Sequence, residues 1–362
     1  MSSAPKRDNV VVADIASQGD VTPEKITDAN FPPSGLNFNP EIEPLLQDNP
    51  KRFVIFPLQC KDIWTKYKEA EVTFWTAEEI PVNKDKDDWA TLPVEERNCV
   101  NYILAYFVSP DGVLNKNLVE NFSKDIQVTE ARCFYGFQIA MENIHLETYG
   151  ILLHTFVDES EELVRIFKSI RDMACVTKKR SLISEWFDGE GTDFGQKVAA
   201  FAAIQTILFS GGAAVILSMK KRALLTGLTL ATELILRDRI LHRNFACTVF
   251  SYLVQRPSEE FVVGAVREVV SIECQFLSEI VPASFAELNV AEACTYVEYL
   301  ADKLLVDLSC VPVYGAANPF GFMADGSLMT DVDYFSKKPG DIKVSAIPEE
   351  QSTDDFAMDA NF

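Results

Sequence analysis

Residues 132–150 read RCFYGFQIAMENIHLETYG, and this stretch decides the fold. It holds no proline, and at about 100° per residue it resolves into distinct faces. Asn143, Glu147 and His154 (the last one turn beyond the stretch) share the side expected to meet solvent. Tyr135, Gln138, Glu142, His145 and Tyr149 form a second polar stripe, spaced 3, 4, 3 and 4 residues apart. Phe134, Phe137, Met141, Ile144, Ile151 and Leu152 fill much of the circumference between the two. A helix with two separated polar stripes can give only one to water, so the other is expected inside. A buried Glu and His then need partners, because an unpaired buried charge is very costly. Glu-x-x-His is also how four-helix di-metal proteins present ligands to the bundle interior. The motif alone is common by chance and fits a wet amphipathic face equally well. Its apolar surroundings and the rest of the chain favour burial.

The chain has 362 residues, enough to bury one large core or two modest ones. Its 33 Lys and Arg against 54 Asp and Glu leave a net charge of −21. That charge repels nucleic acid and anionic membrane, so neither is expected as a partner. Eight cysteines lie scattered from Cys60 to Cys310 with no C-x-x-C pair. This pattern suggests reduced thiols in a cytoplasmic protein, not a disulfide frame or a zinc knuckle. The opening MSSAPKRDNVVVADIASQGD has no apolar core of the signal-peptide kind. Residues 198–219, VAAFAAIQTILFSGGAAVILSM, followed by Lys220-Lys221-Arg222, have the length and basic flank of a membrane span. Gln205 at the centre, Gly211-Gly212 and the many small residues fit a buried helix of a soluble bundle equally well. No other stretch supports insertion, and we adopt the soluble reading.

Taken in order, residues 1–40 are rich in Ser, Pro, Asp and Asn without periodicity and are expected to be disordered. A helical domain over 41–336 follows. Its first helix should run through IWTKYKEAEVTFW to about Trp75, and a polar stretch should reach about Pro93. VEERNCVNYILAYFV opens the first long helix, interrupted by Pro110 and resuming through GVLNKNLVENF. After the helix of 132–150 come a shorter one at EELVRIFKSI, the segment from Val198, one from about 226 to 253, and two near 258–279 and 290–307. Strand signals are almost absent. Residues 337–362 form an acidic, polar tail, expected to be flexible, that ends in apolar residues.

Seven segments in this order carry a resemblance to a known family. They are EVTFWTAEEI, RCFYGFQIAMENIHLETYG, KVAAFAAIQTILFSG, KKRALLTGLT, LILRDRILHRNFAC, ANPFGFM and the terminal FAMDANF. The chain resembles the small, radical-generating subunit of class I ribonucleotide reductase in its eukaryotic form, over roughly residues 50–362. The resemblance implies an all-α, ferritin-like helical bundle, usually dimeric, with a di-iron site of one Asp, three Glu and two His. Asp111, Glu142 and His145 match ligand positions, and Tyr149 matches the radical-storing tyrosine. His242 matches another ligand. Two remaining Glu positions are occupied by Gln205 and Arg239. Trp75 and Asp238 match the electron path, but the tail position of its redox-active tyrosine holds Ile342. Phe356, Met358, Asp359 and Phe362 match the tail that docks on the large subunit.

Charge then decides. Asp111 and Glu142 against Arg239 sum to −1, and two divalent cations would leave a buried cavity at +3. A guanidinium pairs well with carboxylates, so Arg239 is read as replacing the metal as counter-ion. The alternative puts Arg239 on the surface with Arg237 and Arg243. The expected function is a metal-deficient structural or regulatory partner of a complete small subunit, in a heterodimer that supports reduction of ribonucleotides. Two rivals stand beside it. One is an enzyme holding a single iron or manganese through Asp111, Glu142, His145 and His242. The other is a scaffold outside nucleotide reduction.

Overall fold

Helical periodicity over most of the sequence becomes a bundle in which the apolar faces find one another. The computed structural model describes residues 42–48, 52–117, 122–189, 191–285 and 287–320, with backbone alone over 110–117. The expectations for residues 1–40, for Ile342 and for the tail from 337 therefore fall outside the described residues. Helices α1 (Lys61–Glu71), α2 (Asp85–Thr91), α3 (Val94–Asn117) and α4 (Thr129–Phe156) form the first half. Then come α5 (Ser160–Asp172), α6 (Ala174–Asp188), α7 (Phe194–Ile207) and α8 (Ser210–Ser218). Helices α9 (Thr226–Ser251), α10 (Glu259–Ile280) and α11 (Val290–Asp307) complete the order. No strand occurs among the described residues.

The double-striped helix lies where its two stripes require. Asn143, Glu147 and His154 are exposed, and Tyr135, Gln138, Glu142, His145 and Tyr149 are all buried. Helix α4 packs on α1 and α3, α9 packs on α7, and α10 packs on α7 and α11. Local signals start several helices. Asp193 and Gln196 form a reciprocal cap at α7, as do Asn289 and Glu292 at α11, and Ser258 accepts from the Phe261 N–H at α10.

Four expectations need correction. Pro110 does not interrupt the third helix, which runs on to Asn117. The polar stretch before Pro93 contains α2, whose buried Asp85 accepts from the N–H groups of Gly227 (2.8 Å) and Leu228 (2.7 Å) at the start of α9. That long-range cap satisfies helix donors that no local side chain reaches. The segment from Val198 is not one helix. It breaks at Phe209, whose φ of 83° is left-handed, between α7 and α8. Helix α6 also forms where only a connection was expected. The whole 194–222 run is apolar enough to cross a membrane, yet 94% of its most apolar window is buried inside the bundle.

Small residues after the break let helices approach closely. A Cβ on Gly211 would sit 2.4 Å from Leu277 Cδ1 on α10. Gly211→Ala is therefore expected to destabilise by about 1–3 kcal/mol, as overpacking does. Gly264, with open space around its own position, is the control. Its Ala variant should be neutral or stabilise by up to about 1 kcal/mol. Equal melting midpoints for the two variants would contradict this close packing.

Candidate functional site

Four helices were expected to bring ligand positions together, and three of them have described side chains there. Glu142 and His145 come from α4, Gln205 from α7, and Arg239 and His242 from α9, all buried. The side chain of Asp111, on α3, lies outside those described.

Glu142 is the centre. Its Oε1 accepts from Gln205 Nε2 at 3.1 Å, and His242 Nδ1 lies 3.3 Å from the same oxygen. Its Oε2 lies 3.6 Å from His145 Nδ1 and 3.8 Å from Arg239 Nη2. Arg239 Nη1 donates to Gln205 Oε1 at 3.3 Å, so the Gln205 amide bridges guanidinium and carboxylate. Burial alone would raise the Glu142 carboxyl, but the Arg239 charge and the two imidazoles hold it well below the usual carboxylate range. All of Arg237, Arg239 and Arg243 are buried, which excludes the surface alternative.

A second carboxylate lies behind His145. Asp238 Oδ2 accepts from Trp75 Nε1 at 2.8 Å and meets His145 Nε2 at 2.9 Å. Trp75 and His145 stack with ring centroids 6.0 Å apart. Arg237 Nη2 lies 3.5 Å from Asp238 Oδ1 and donates to the Thr73 carbonyl at 2.6 Å. Burial works against the charge of His145, yet Asp238 and Glu142 raise its pKa to about 9. His242 is lowered, by burial first, and stays neutral. The Trp75, Asp238 and His145 positions thus form one continuous contact chain. Tyr149 is buried one turn beyond His145 and lines a shared cavity with Gln205 and Arg239.

The donor set can be tested against a metal pair. The charged side chains described at the site are Glu142, Asp238, Arg237, Arg239 and the His145 imidazolium, net positive already. Both Glu142 oxygens face other protein groups. Among the described residues no three His, Cys, Asp or Glu side chains converge as a metal site. These residues do not fit two divalent cations.

The sequence did not reveal a further polar layer beneath Arg239. Phe209 carries the Arg239 guanidinium 3.9 Å from its ring centroid and Lys179 Nζ at 4.6 Å. Lys179 also lies 3.8 Å from the Tyr106 centroid. Tyr106 donates to Glu273 Oε2 at 3.2 Å, and Glu273 Oε1 accepts from the Gly211 and Gly212 N–H groups at 3.1 and 3.4 Å. Burial raises the Glu273 carboxyl against the pull of Lys179 and the backbone donors. The sequence singles out neither Lys179 nor Glu273, whose charges only the fold brings near each other.

The chain matches the family model described as ribonucleotide reductase, small chain, over residues 52–319. It is 44% identical over 325 residues to the ribonucleoside-diphosphate reductase small chain of Spisula solidissima, covering 89% of this chain and 85% of that one. It is 45% identical over 322 residues to ribonucleoside-diphosphate reductase subunit M2 of Danio rerio, covering 89% and 83%. Among solved structures, the ribonucleotide reductase Rnr4 homodimer of Saccharomyces cerevisiae aligns with a TM-score of 0.73 and 34% identity, over 77% of this chain and 88% of that one.

Arg239→Ala would leave the buried Glu142 without its guanidinium. Removing one side of a buried pair costs about 3–5 kcal/mol, and the melting temperature should fall accordingly. An unchanged melting temperature would mean that Arg239 does not neutralise Glu142.

Proposed function

The chain belongs to the ribonucleotide reductase small-chain family, and on that premise we propose that it is a metal-deficient partner of a complete small subunit. As a family member it is a subunit of ribonucleoside-diphosphate reductase, and serves the reduction of ribonucleotides to deoxyribonucleotides for DNA synthesis. One observation carries the proposal: Arg239 and Gln205 occupy the cavity as a bonded pair around Glu142. A guanidinium supplies fixed positive charge where a metal would supply a Lewis acid, and it performs no redox chemistry.

In this reading the chain's own residues hold a scaffold in place. Trp75, Asp238 and His145 keep their contacts as packing and hydrogen bonding, and Tyr149 is a buried core phenol. The tail residues Phe356, Met358, Asp359 and Phe362 dock on the large subunit, and Ile342 leaves the position of the redox-active tyrosine aliphatic. Two aromatics, Phe356 and Phe362, in an otherwise acidic and polar stretch support a docking segment. The second partner is a complete small subunit, joined in a heterodimer. All eight cysteines are free thiols, which supports a cytoplasmic setting.

A second reading has one observation in its favour. The Nδ1 atoms of His145 and His242 both face Glu142 without a hydrogen-bond partner, at 3.6 and 3.3 Å. A single iron or manganese held there would make this an enzyme in its own right.

Metal analysis separates the two. After anaerobic Fe(II) loading and exposure to air, the protein is expected to carry far less than one iron per chain and to give no tyrosyl signal in electron paramagnetic resonance. Iron near one per chain supports the second reading. Iron near two, or a tyrosyl signal, defeats the proposal. The double variant Gln205→Glu with Arg239→Glu restores two carboxylates and is expected to regain binding.

Partnership has its own assay. This chain with a large subunit alone should give background turnover of ribonucleotides. With a complete small subunit added it should form a heterodimer and sustain activity. Deleting residues 356–362 should weaken its hold on the large subunit without lowering the melting temperature. Substantial turnover by the chain alone, or failure to associate with either partner, would refute the assignment.

A further inference from the structure

Two cysteines lie on neighbouring helices, one of them next to Glu273 in sequence. Cys274 is on α10 and Cys294 on α11, helices that pack directly together. The connection between them spans only residues 281–289, so the pair forms a helical hairpin. Cys274 stands six residues before the end of α10 and Cys294 four residues after the start of α11. At about 1.5 Å per residue the two sit at similar heights above the turn. Both rest on the core and remain partly exposed, and each thiol is the group that acts most strongly on the other. Cys60, Cys99 and Cys175 are covered by the core.

We propose that Cys274 and Cys294 are a site of reversible oxidation, closing a disulfide that staples α10 to α11. Either sulfur can attack and the other resolve, and the steps are written with Cys294 attacking. With a peroxide as oxidant, the Cys294 sulfur attacks one peroxide oxygen and the O–O bond breaks. The products are a sulfenic acid on Cys294 and one water. The Cys274 sulfur then displaces the hydroxyl from that sulfenic acid, which leaves as the second water with the Cys274 proton. Two thiols lose two electrons and two protons, and the peroxide takes them up. A dithiol reductant reverses the bond by exchange.

The consequence is local and mechanical. The crosslink joins residues 20 apart in sequence and would restrict the unfolded chain, raising the melting point. It also clamps the segment of α10 that carries Glu273, whose carboxylate holds the start of α8. The oxidised hairpin is thus the stiffer form.

The full-length protein, titrated with hydrogen peroxide, provides the test. Intact mass should fall by about 2 Da, as expected for one disulfide. Free thiols should drop from eight to six, and a non-reducing peptide map should link Cys274 to Cys294. Dithiothreitol should restore all three readings, and the oxidised form should melt several degrees higher. Cys294→Ser should abolish the mass loss and the link. Cys274→Ser is the second variant, should Cys294→Ser fail to fold, and should stop at sulfenic or higher acids. Thiol loss spread over Cys133, Cys247 and Cys310 would overturn the proposal. So would over-oxidised Cys294 without a linked peptide in the unmodified sequence, or a mass loss that survives either variant.

Discussion

A carboxylate at the centre of an apolar bundle must be answered, and in this protein Glu142 is answered by protein. An ionised carboxylate taken out of water costs several kcal/mol unless it is paired. At about 4 Å and an effective dielectric near 20, one opposite charge returns about 4 kcal/mol. Arg239 stands at that distance, and the Gln205 amide, bonded to both, keeps it there. The consequence reaches beyond the cavity. Glu142, Gln205 and Arg239 come from α4, α7 and α9, so one charge requirement fixes the mutual register of three helices.

The guanidinium also needs a floor. Phe209 supplies it from a left-handed backbone position. A non-glycine residue holds that conformation at a cost of about 1–2 kcal/mol. Glu273 offsets it from α10 by taking the N–H groups at the start of α8. Lys179 then lies near the same ring from α6, so two cations share one aromatic side chain.

Much of this was legible in the sequence, for definite reasons. The two polar stripes of 132–150 can be read because helical spacing is strict and because a bundle has only one wet side. Gln205, Arg239 and His242 could be assigned by their order against the family's motifs, and the structure gathers them around Glu142. What was not legible depends on partners distant in sequence. Nothing in VAAFAAIQTILFSGGAAVILSM marks a break before the glycines, because the carboxylate that stabilises it lies more than 60 residues later. Lys179 sits in a run of basic residues that resembles a solvated face. Asp85 looks like ordinary loop polarity until it is seen capping a helix 142 residues away.

The apolar run of 194–222 carries a consequence for how the protein is made. In the finished bundle most of it is covered, and much of that cover comes from α9, α10 and α11. All three are synthesised after it. During elongation at about 5–20 residues per second, the ribosome displays this run for several seconds before its covering helices exist. In that interval it offers a cell's targeting machinery the hydrophobicity of a membrane anchor, and it offers other nascent chains a surface for aggregation. Any chaperone that shields it must let go once α11 has emerged. A segment that the finished fold buries is therefore also a hazard at birth.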